Sequence, residues 1–166
     1  MASKAQSVVF DQASRPFALY LHWPFCRAKC PYCDFNSHVS NDVDTKIFGD
    51  ALCTEMAHMA SLMPSRPPLS SLFFGGGTPS LMPPILVERL IRHAEDLFGF
   101  TDDIEITAEA NPTSVEAEAM LGFQKAGVNR VSMGVQSLDD AGLKFLGREH
   151  SAADALQALD KVNKAF

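Results

Sequence analysis

Residues 20–35 read YLHWPFCRAKCPYCDF and contain three of the four cysteines of the chain, Cys26, Cys30 and Cys33. Three and then two residues separate them, so all three thiols fall in one short loop. Thiolates are the soft ligands that iron–sulfur clusters require, and three of them on a four-iron cluster leave one iron without a protein ligand. The spacing therefore predicts a cluster whose free iron can bind another molecule.

Zinc is the main alternative for these thiols. A Cys3His site could recruit His22 or His38, although structural zinc usually takes two well-separated ligand pairs. Disulfides are less favoured, because residues 1–16 lack the apolar core of a signal peptide and a reducing cytoplasm is expected. The fourth cysteine, Cys53, lies in a helical pattern and is predicted to be a small buried apolar residue without chemistry.

A glycine-rich segment, SLFFGGGTPS at residues 71–80, follows a short apolar strand predicted at residues 72–74. Glycines let another molecule approach the backbone closely and leave peptide groups free to bond it. A phosphate loop is disfavoured, because both the Lys-Ser/Thr pair and the GxGxxG spacing are missing. By itself the segment would be an ordinary turn, so its meaning depends on its neighbours.

Two more strands are predicted, and each ends in polar residues. In residues 104–109 apolar and polar side chains alternate, which places Glu105, Thr107 and Glu109 on one face, and Asn111-Pro112 ends the strand. Residues 128–136 alternate in the same way. A half-exposed antiparallel sheet would give this alternation too, so the connections between the strands must decide.

Helices with one apolar face separate these strands, and their ends are marked by capping residues. Alternation of strands and helices predicts an α/β fold with a parallel sheet and right-handed crossovers. Such folds gather their active sites at the carboxyl ends of the strands, so the motifs are expected to converge there. The predicted helices run from Asp44 to about Met63, from Pro84 to Phe98, from a Thr113–Glu116 capping box to Gly127, and from Ser137 and Ser151, each paired with an acidic residue three positions on.

Four motifs occur in order along the chain: YxHxPFCxxxCxYCDF, GGGTPS, EANP and GVQS. Together they resemble the radical S-adenosylmethionine superfamily, in the branch of oxygen-independent coproporphyrinogen III oxidases and related haem chaperones. The resemblance implies a partial TIM-like (β/α)6 barrel with about four βα units in residues 17–166, after an N-terminal segment at 1–16. A full barrel needs roughly 200 residues or more, and the last helical pattern has no cap, so a missing C-terminal part is expected.

The resemblance also implies a cofactor site. Cys26, Cys30 and Cys33 would hold a [4Fe–4S] cluster that binds S-adenosylmethionine. Arg148 would offer a bidentate donor to a carboxylate, which suits guanidinium geometry. The other positions that match the family's cofactor-binding residues are Tyr20 and Tyr32, the loop residues Gly76, Gly77 and Thr78, and the polar residues Glu109 and Gln136.

The same resemblance leaves two functions open. A haem chaperone binds haem and delivers it to an acceptor protein, whereas the oxidase decarboxylates a porphyrinogen and needs an electron donor for its cluster. Phe35 stands where the oxidases carry a further cysteine, and only residues 1–19 precede Tyr20, so the chaperone is favoured. Haem ligands are expected in the missing part. A Cys3His zinc module remains a remote alternative.

Composition excludes other classes of partner. A formal net charge of −6 and a pI near 5.3 provide no basic stripe to neutralise phosphates, which argues against a nucleic-acid-binding protein. No apolar run is long enough to cross a membrane. These observations and the free thiols predict a cytoplasmic protein.

Overall fold

A computed structural model describes residues 16–40 and 42–166 of the chain. Residues 1–15, which make up nearly all of the predicted N-terminal segment, lie outside the described residues. The strands are β1 (Ala18–Trp23), β2 (Phe25–Cys26), β3 (His38–Val39), β4 (Leu69–Gly76), β5 (Phe100–Ala110) and β6 (Arg130–Met133). The helices are α1 (Thr45–Leu62), α2 (Pro84–Phe98), α3 (Ser114–Ala126), α4 (Asp140–Phe145) and α5 (Ala152–Asn163), with a 3-10 turn at Pro79–Leu81.

Four strands form one parallel sheet in the order β1-β4-β5-β6. Leu19 is opposite Leu72, Leu72 is opposite Ile106, and Ala108 is opposite Val131, so apolar positions align across the sheet. The predicted α/β class is confirmed, and the antiparallel alternative is wrong. A helix follows each of β4, β5 and β6, and this supplies the crossover that parallel strands require.

The core lies between the sheet and helices α1, α2 and α3. Leu72 and Phe74 on β4 are fully buried, as are Val87 and Leu90 on α2 and Phe123 on α3. Full burial of one such side chain stabilises the fold by roughly 1.5–3 kcal/mol. The predicted apolar face of α2 is confirmed, and it turns toward this core.

The predicted helix starts are correct except at α4. Asp44 caps α1 by accepting a hydrogen bond from the amide of Ile47, and Ser151 forms a complete capping box with Asp154 at α5. The prediction that Ser137 starts the short helix is wrong, because Asp139 caps α4 through the amide of Gly142. Its carboxylate is three residues from that amide, which is the spacing a cap requires.

Only half of the capping box predicted at α3 forms. The hydroxyl of Thr113 accepts a hydrogen bond from the amide of Glu116, 3.3 Å away. The carboxylate of Glu116 does not return to the cap, because it is buried against Ser80 and Asn111. This departure from the helix-capping pattern brings a charged group into the interior beside the sheet edge.

Strand β6 is shorter than the predicted 128–136. After Met133 the chain leaves the sheet, and Gln136 adopts a φ of 62°, a left-handed conformation that is uncommon outside glycine. Residues 134–136 therefore form a bend above the sheet edge. Among the described helices, none is both long and apolar enough to span a membrane.

Candidate functional site

A cavity of about 390 Å³ opens at the carboxyl ends of β4, β5 and β6. The cysteine loop, which we define as residues 26–37, and residues 147–150 form other parts of its wall. The predicted convergence of the motifs at this edge therefore occurs. Ten of the predicted site residues line the cavity: Cys26, Cys30, Tyr32, Cys33, Gly76, Gly77, Thr78, Glu109, Gln136 and Arg148.

Tyr20 is the predicted site residue that does not line this cavity. It lies on β1 and stacks on Phe73, with ring centroids 5.9 Å apart. Its hydroxyl is 3.4 Å from Nδ1 of His22. Partial burial and the nearby charge of Glu109 raise the pKa of Tyr20. The ring therefore lies beside Phe73 on the same face of the sheet and is 55% exposed.

The cysteine loop is fastened to the body of the protein through backbone hydrogen bonds. The amide of His38 donates to Pro24 O at 2.7 Å, and the amide of Ser40 donates to Cys26 O at 3.2 Å. Within the loop, the amide of Cys33 donates to Cys30 O at 3.0 Å. Cys26 is buried, whereas Cys30 and Cys33 are half-buried, so two thiols face the cavity beside a more enclosed one.

Neither histidine proposed for a zinc site joins the thiols. Nε2 of His22 donates to the carbonyl of Asn36 at 2.9 Å, and His38 is exposed and does not line the cavity. In residues 16–40 and 42–166, no three His, Cys, Asp or Glu side chains, the three loop cysteines included, stand in the geometry of a bound metal ion. The positions of the two histidines give no support to the Cys3His alternative.

Cys53 is half-buried at the edge of the core, not fully buried as the sequence predicts. Desolvation raises the pKa of its thiol, which disfavours the reactive thiolate. The prediction that it has no chemistry is consistent with that environment.

The glycine loop packs directly on the cysteine loop. A Cβ on Gly77 would lie 2.7 Å from Phe25 O and 2.9 Å from Cys26 Sγ, so only glycine fits without displacing the first cysteine. The amide of Gly77 donates to Trp23 O at 2.7 Å, and the amide of Thr78 donates to Phe25 O at 2.9 Å. The expectation that these peptide groups are free to bind a ligand is wrong for the N–H groups, which already have acceptors within the chain.

Glu109 completes this arrangement from β5. Its Oε2 accepts a hydrogen bond from the amide of Gly76, 3.2 Å away, at a φ of 119° that favours glycine. Burial raises the pKa of Glu109, and the Gly76 hydrogen bond partly offsets that rise. A partly desolvated carboxylate therefore faces the cavity next to the glycine loop.

Arg148 joins the end of β6 to the cysteine loop. Its Nη2 donates to Asn111 Oδ1 and Gly134 O, each at 2.7 Å. Its Nη1 is 3.4 Å from both Cys30 Sγ and the hydroxyl of Tyr32. Nε is buried and has no hydrogen-bond partner in the described part of the chain. Burial raises the pKa of Tyr32, and the charge of Arg148 opposes that rise.

Sequence reasoning missed four polar residues of the cavity or its wall. The sequence places Asn111 at the end of a strand and within the EANP motif, and Glu116 in a capping box, but it assigns neither side chain a role in the cavity. Ser80 and His150 received no role, yet Ser80, Glu116 and His150 are 3%, 4% and 6% exposed. The signal available in the sequence was the density of polar residues just after each predicted strand.

The chain is similar in sequence to a known family and to several known proteins. The sequence profile of the Radical SAM superfamily matches residues 20–166. The bovine protein named radical S-adenosyl methionine domain-containing protein 1, mitochondrial, is 43% identical over 153 residues, which are 92% of this chain and 34% of that protein. The protein named heme chaperone HemW from Haemophilus influenzae is 43% identical over 149 residues, 87% of this chain and 39% of that protein.

A solved structure is similar as well. Coproporphyrinogen III oxidase (HemN) from Escherichia coli, described as a radical SAM enzyme, superposes with a TM-score of 0.79 at 32% sequence identity. The match covers 90% of this chain and 35% of that one. The chain thus spans between a third and two fifths of the length of the relatives it matches.

Proposed function

The chain belongs to the radical S-adenosylmethionine superfamily, and on that premise we propose that Cys26, Cys30 and Cys33 hold a [4Fe–4S] cluster and that the adjoining cavity binds S-adenosylmethionine. One observation carries the proposal: the three thiols line the same cavity as the glycine loop and Arg148. When bound, the cluster and S-adenosylmethionine supply one-electron chemistry that amino-acid side chains lack.

The residues present fit such a pair of groups. Three thiols on one loop match the ligand chemistry of an iron–sulfur cluster. S-adenosylmethionine carries a carboxylate and an amino group, and the cavity offers both signs of charge, Arg148 on one wall and Glu109 on another. The unpartnered Nε–H of Arg148 is a donor still available to a carboxylate. Gly77 lets the glycine loop pack directly on Cys26, so this loop borders the cavity next to the first thiol.

We assign individual roles to the lining residues on the same basis. Tyr32 packs beside the adenine, Gly76, Gly77 and Thr78 border the methionyl group, and Glu109 and Gln136 hold polar groups of the cofactor. Because both Nη atoms of Arg148 already have protein acceptors, the role of Arg148 toward the carboxylate is chiefly that of a fixed positive charge. Tyr20 acts indirectly, by packing against Phe73 on the strand that bears the glycines.

For the protein as a whole, we propose haem chaperone as the function. Relatives bearing that name are up to 43% identical to this chain, compared with 32% for the oxidase of known structure. Phe35 supports the same choice, because it lines the cavity where the oxidase branch has a further cysteine. Coproporphyrinogen III oxidase is the second candidate, and the structural similarity to that enzyme favours it.

The proposed partners are haem or a porphyrinogen, a donor that reduces the cluster, and an apo-protein that accepts haem. A reducing compartment suits the free thiols, and we propose the cytoplasm. Because one relative is named as a mitochondrial protein, the mitochondrion is the second candidate compartment.

The cluster is tested by anaerobic reconstitution of the full-length protein with iron and sulfide. We expect about four irons per chain, since a cube ligated by cysteine holds that number. Cys33→Ala should abolish iron uptake, and the matched variant Cys53→Ala should retain it, because Cys53 lies on α1 away from the cavity. Stoichiometric zinc without iron uptake would contradict the cluster.

Chaperone and oxidase are separated by a second assay with reductant and S-adenosylmethionine. Haem transfer to an apo-acceptor and decarboxylation of coproporphyrinogen III are followed in parallel samples. We expect transfer without decarboxylation. Decarboxylation that is lost in Cys26→Ala would reject the chaperone in favour of the oxidase.

A further inference from the structure

Glu116 is a buried carboxylate that none of the cofactor assignments above uses. It lies on the first turn of α3 and is 4% exposed. A charged group in such a place needs several hydrogen bonds to replace its water shell. The hydroxyl of Ser80 donates to its Oε2, as does the amide of Asn111 at 2.7 Å. The carboxylate therefore ties the segment after β4 to the segment after β5.

The same carboxylate sets the orientation of the Asn111 side chain. Nδ2 of Asn111 is 3.4 Å from Glu116 Oε1 and 3.5 Å from Thr78 Oγ1. An ionised carboxylate only accepts hydrogen bonds, so the amide must present its NH2 group to Glu116. Its oxygen is then turned the opposite way, toward Nη2 of Arg148 at 2.7 Å.

Arg148 is held in turn by that oxygen. Nη2 has two hydrogens, and Asn111 Oδ1 and Gly134 O accept one each. With Nη2 fixed, the planar guanidinium can direct Nη1 only toward Cys30 Sγ and the Tyr32 hydroxyl. A continuous series of contacts thus runs from the first turn of α3 to a cysteine that lies 118 residues before Arg148 in the sequence.

We propose that Glu116 is a positioning residue that acts through Asn111 to hold Arg148 against the cysteine loop. The proposal rests on the proposed function, because Arg148 is the group placed at both the cluster thiol and the S-adenosylmethionine carboxylate. Two properties depend on the position of Arg148. One is the affinity for S-adenosylmethionine. The other is the reduction potential of the cluster, because hydrogen bonds to the cluster sulfurs raise that potential.

The test is a double-mutant cycle in the full-length reconstituted protein. Glu116→Gln keeps the shape of the side chain but removes its charge and one acceptor. We expect it to weaken S-adenosylmethionine binding about tenfold, the range typical of residues that orient ligand-contacting groups, and to make the cluster potential more negative. In an Arg148→Gln background, Glu116→Gln should have no further effect on either quantity.

Asn111→Ala is a second test variant. It removes the hydrogen bond from Arg148 to the Asn111 side chain but leaves the hydrogen bond between Ser80 and Glu116. It should reproduce both changes, and it carries the test if Glu116→Gln does not fold. Glu88→Gln is the matched control: its side chain on α2 is 43% exposed and forms an ion pair with Arg92. That control should leave the affinity and the potential unchanged.

Amide hydrogen exchange in residues 27–33 of the cofactor-free protein separates this proposal from the proposed function. Exchange there should be faster in Glu116→Gln and Asn111→Ala than in the wild type or Glu88→Gln. A wild type that binds no cluster would contradict the proposed function, and the exchange result would still decide the role of Glu116. Unchanged exchange and affinity in both variants, or losses that add fully to those of Arg148→Gln, would overturn the proposal.

Discussion

At the scale of single residues, two glycines allow other segments to pack closely against the cysteine loop. Gly77 has no Cβ, and this lets the glycine loop touch Cys26 directly. Gly147 has a φ of 66°, and a Cβ there would lie 2.7 Å from Cδ of Pro31 in the cysteine loop. Two glycines far apart in sequence therefore allow other segments to pack against the same loop.

Gly77→Ala tests this close approach. The added methyl group would lie 2.9 Å from Cys26 Sγ and closer still to a backbone carbonyl, so the cysteine loop must shift. Overpacking of this kind costs about 1–3 kcal/mol, and we expect iron uptake after reconstitution to fall to about half or less.

Gly99→Ala is the control, because nothing lies within 4 Å of the Cβ that this change adds. It should lower stability by about 1–3 kcal/mol, because its φ of 70° and ψ of 166° lie in a region that almost only glycine adopts, but it should leave iron uptake intact. Equal iron content in both variants would refute the role of Gly77.

At the scale of elements, the corner between β6, α4 and α5 closes one side of the cavity. His150 precedes the cap of α5, is 6% exposed, and donates from Nε2 to Val135 O at 3.1 Å. Burial lowers the pKa of His150 below its usual value of 6.5, and the charge of Arg148 acts in the same direction. The hydrogen bond to Val135 and the charges of Asp154 and Glu116 oppose that shift without cancelling it.

The stability of this corner should depend on pH. Because the pKa is lower in the folded state than in the unfolded state, the unfolded chain binds a proton first as the pH falls. The contribution of His150 is therefore complete above about pH 6.5 and is lost as the pH drops toward the lower folded-state pKa. Urea unfolding at pH 7.5 and 5.5 should show a smaller loss of stability in His150→Gln than in the wild type. The exposed His58→Gln should behave like the wild type, and an unchanged pH dependence in His150→Gln would contradict the prediction.

At the scale of the whole molecule, the sheet edge at β6 has exposed apolar side chains beside it. Strand β6 pairs only with β5 among the described residues, and the segment that follows it exposes two large apolar side chains. Leu138 is 67% exposed and Phe145 is 86% exposed. Exposed apolar side chains beside an unpaired strand edge favour association between molecules.

We expect the 166-residue chain to self-associate at micromolar concentration through this surface. The double variant Leu138→Ser/Phe145→Ser should shift the population toward monomer in sedimentation velocity, while its stability stays within about 0.5 kcal/mol of the wild type. Ile85→Ser, which alters a 71% exposed residue on α2, is the control and should not reduce association. A monomeric wild-type chain would show that this surface does not drive association.

The sequence by itself determined the class of fold and the edge at which the site lies. Periodicity and capping residues are local signals, so α2 and α5 were predicted with correct starts, and the alternation of elements implied the parallel sheet. The thiol spacing likewise predicts Cys26, Cys30 and Cys33 as cluster ligands from sequence alone, and that role stays a prediction.

Only the tertiary structure decided which polar groups are already used within the chain. It shows that the amides of Gly77 and Thr78 donate to carbonyls next to the cysteine loop. It also shows that the Glu116 carboxylate accepts a hydrogen bond from the amide of Asn111 instead of one from the cap of its own helix. It also places Arg148 beside Cys30, although the two lie 118 positions apart in the sequence. The physical reason is that a hydrogen bond depends on distances of about 3 Å between atoms, and local patterns carry no information about which distant segments meet at that range.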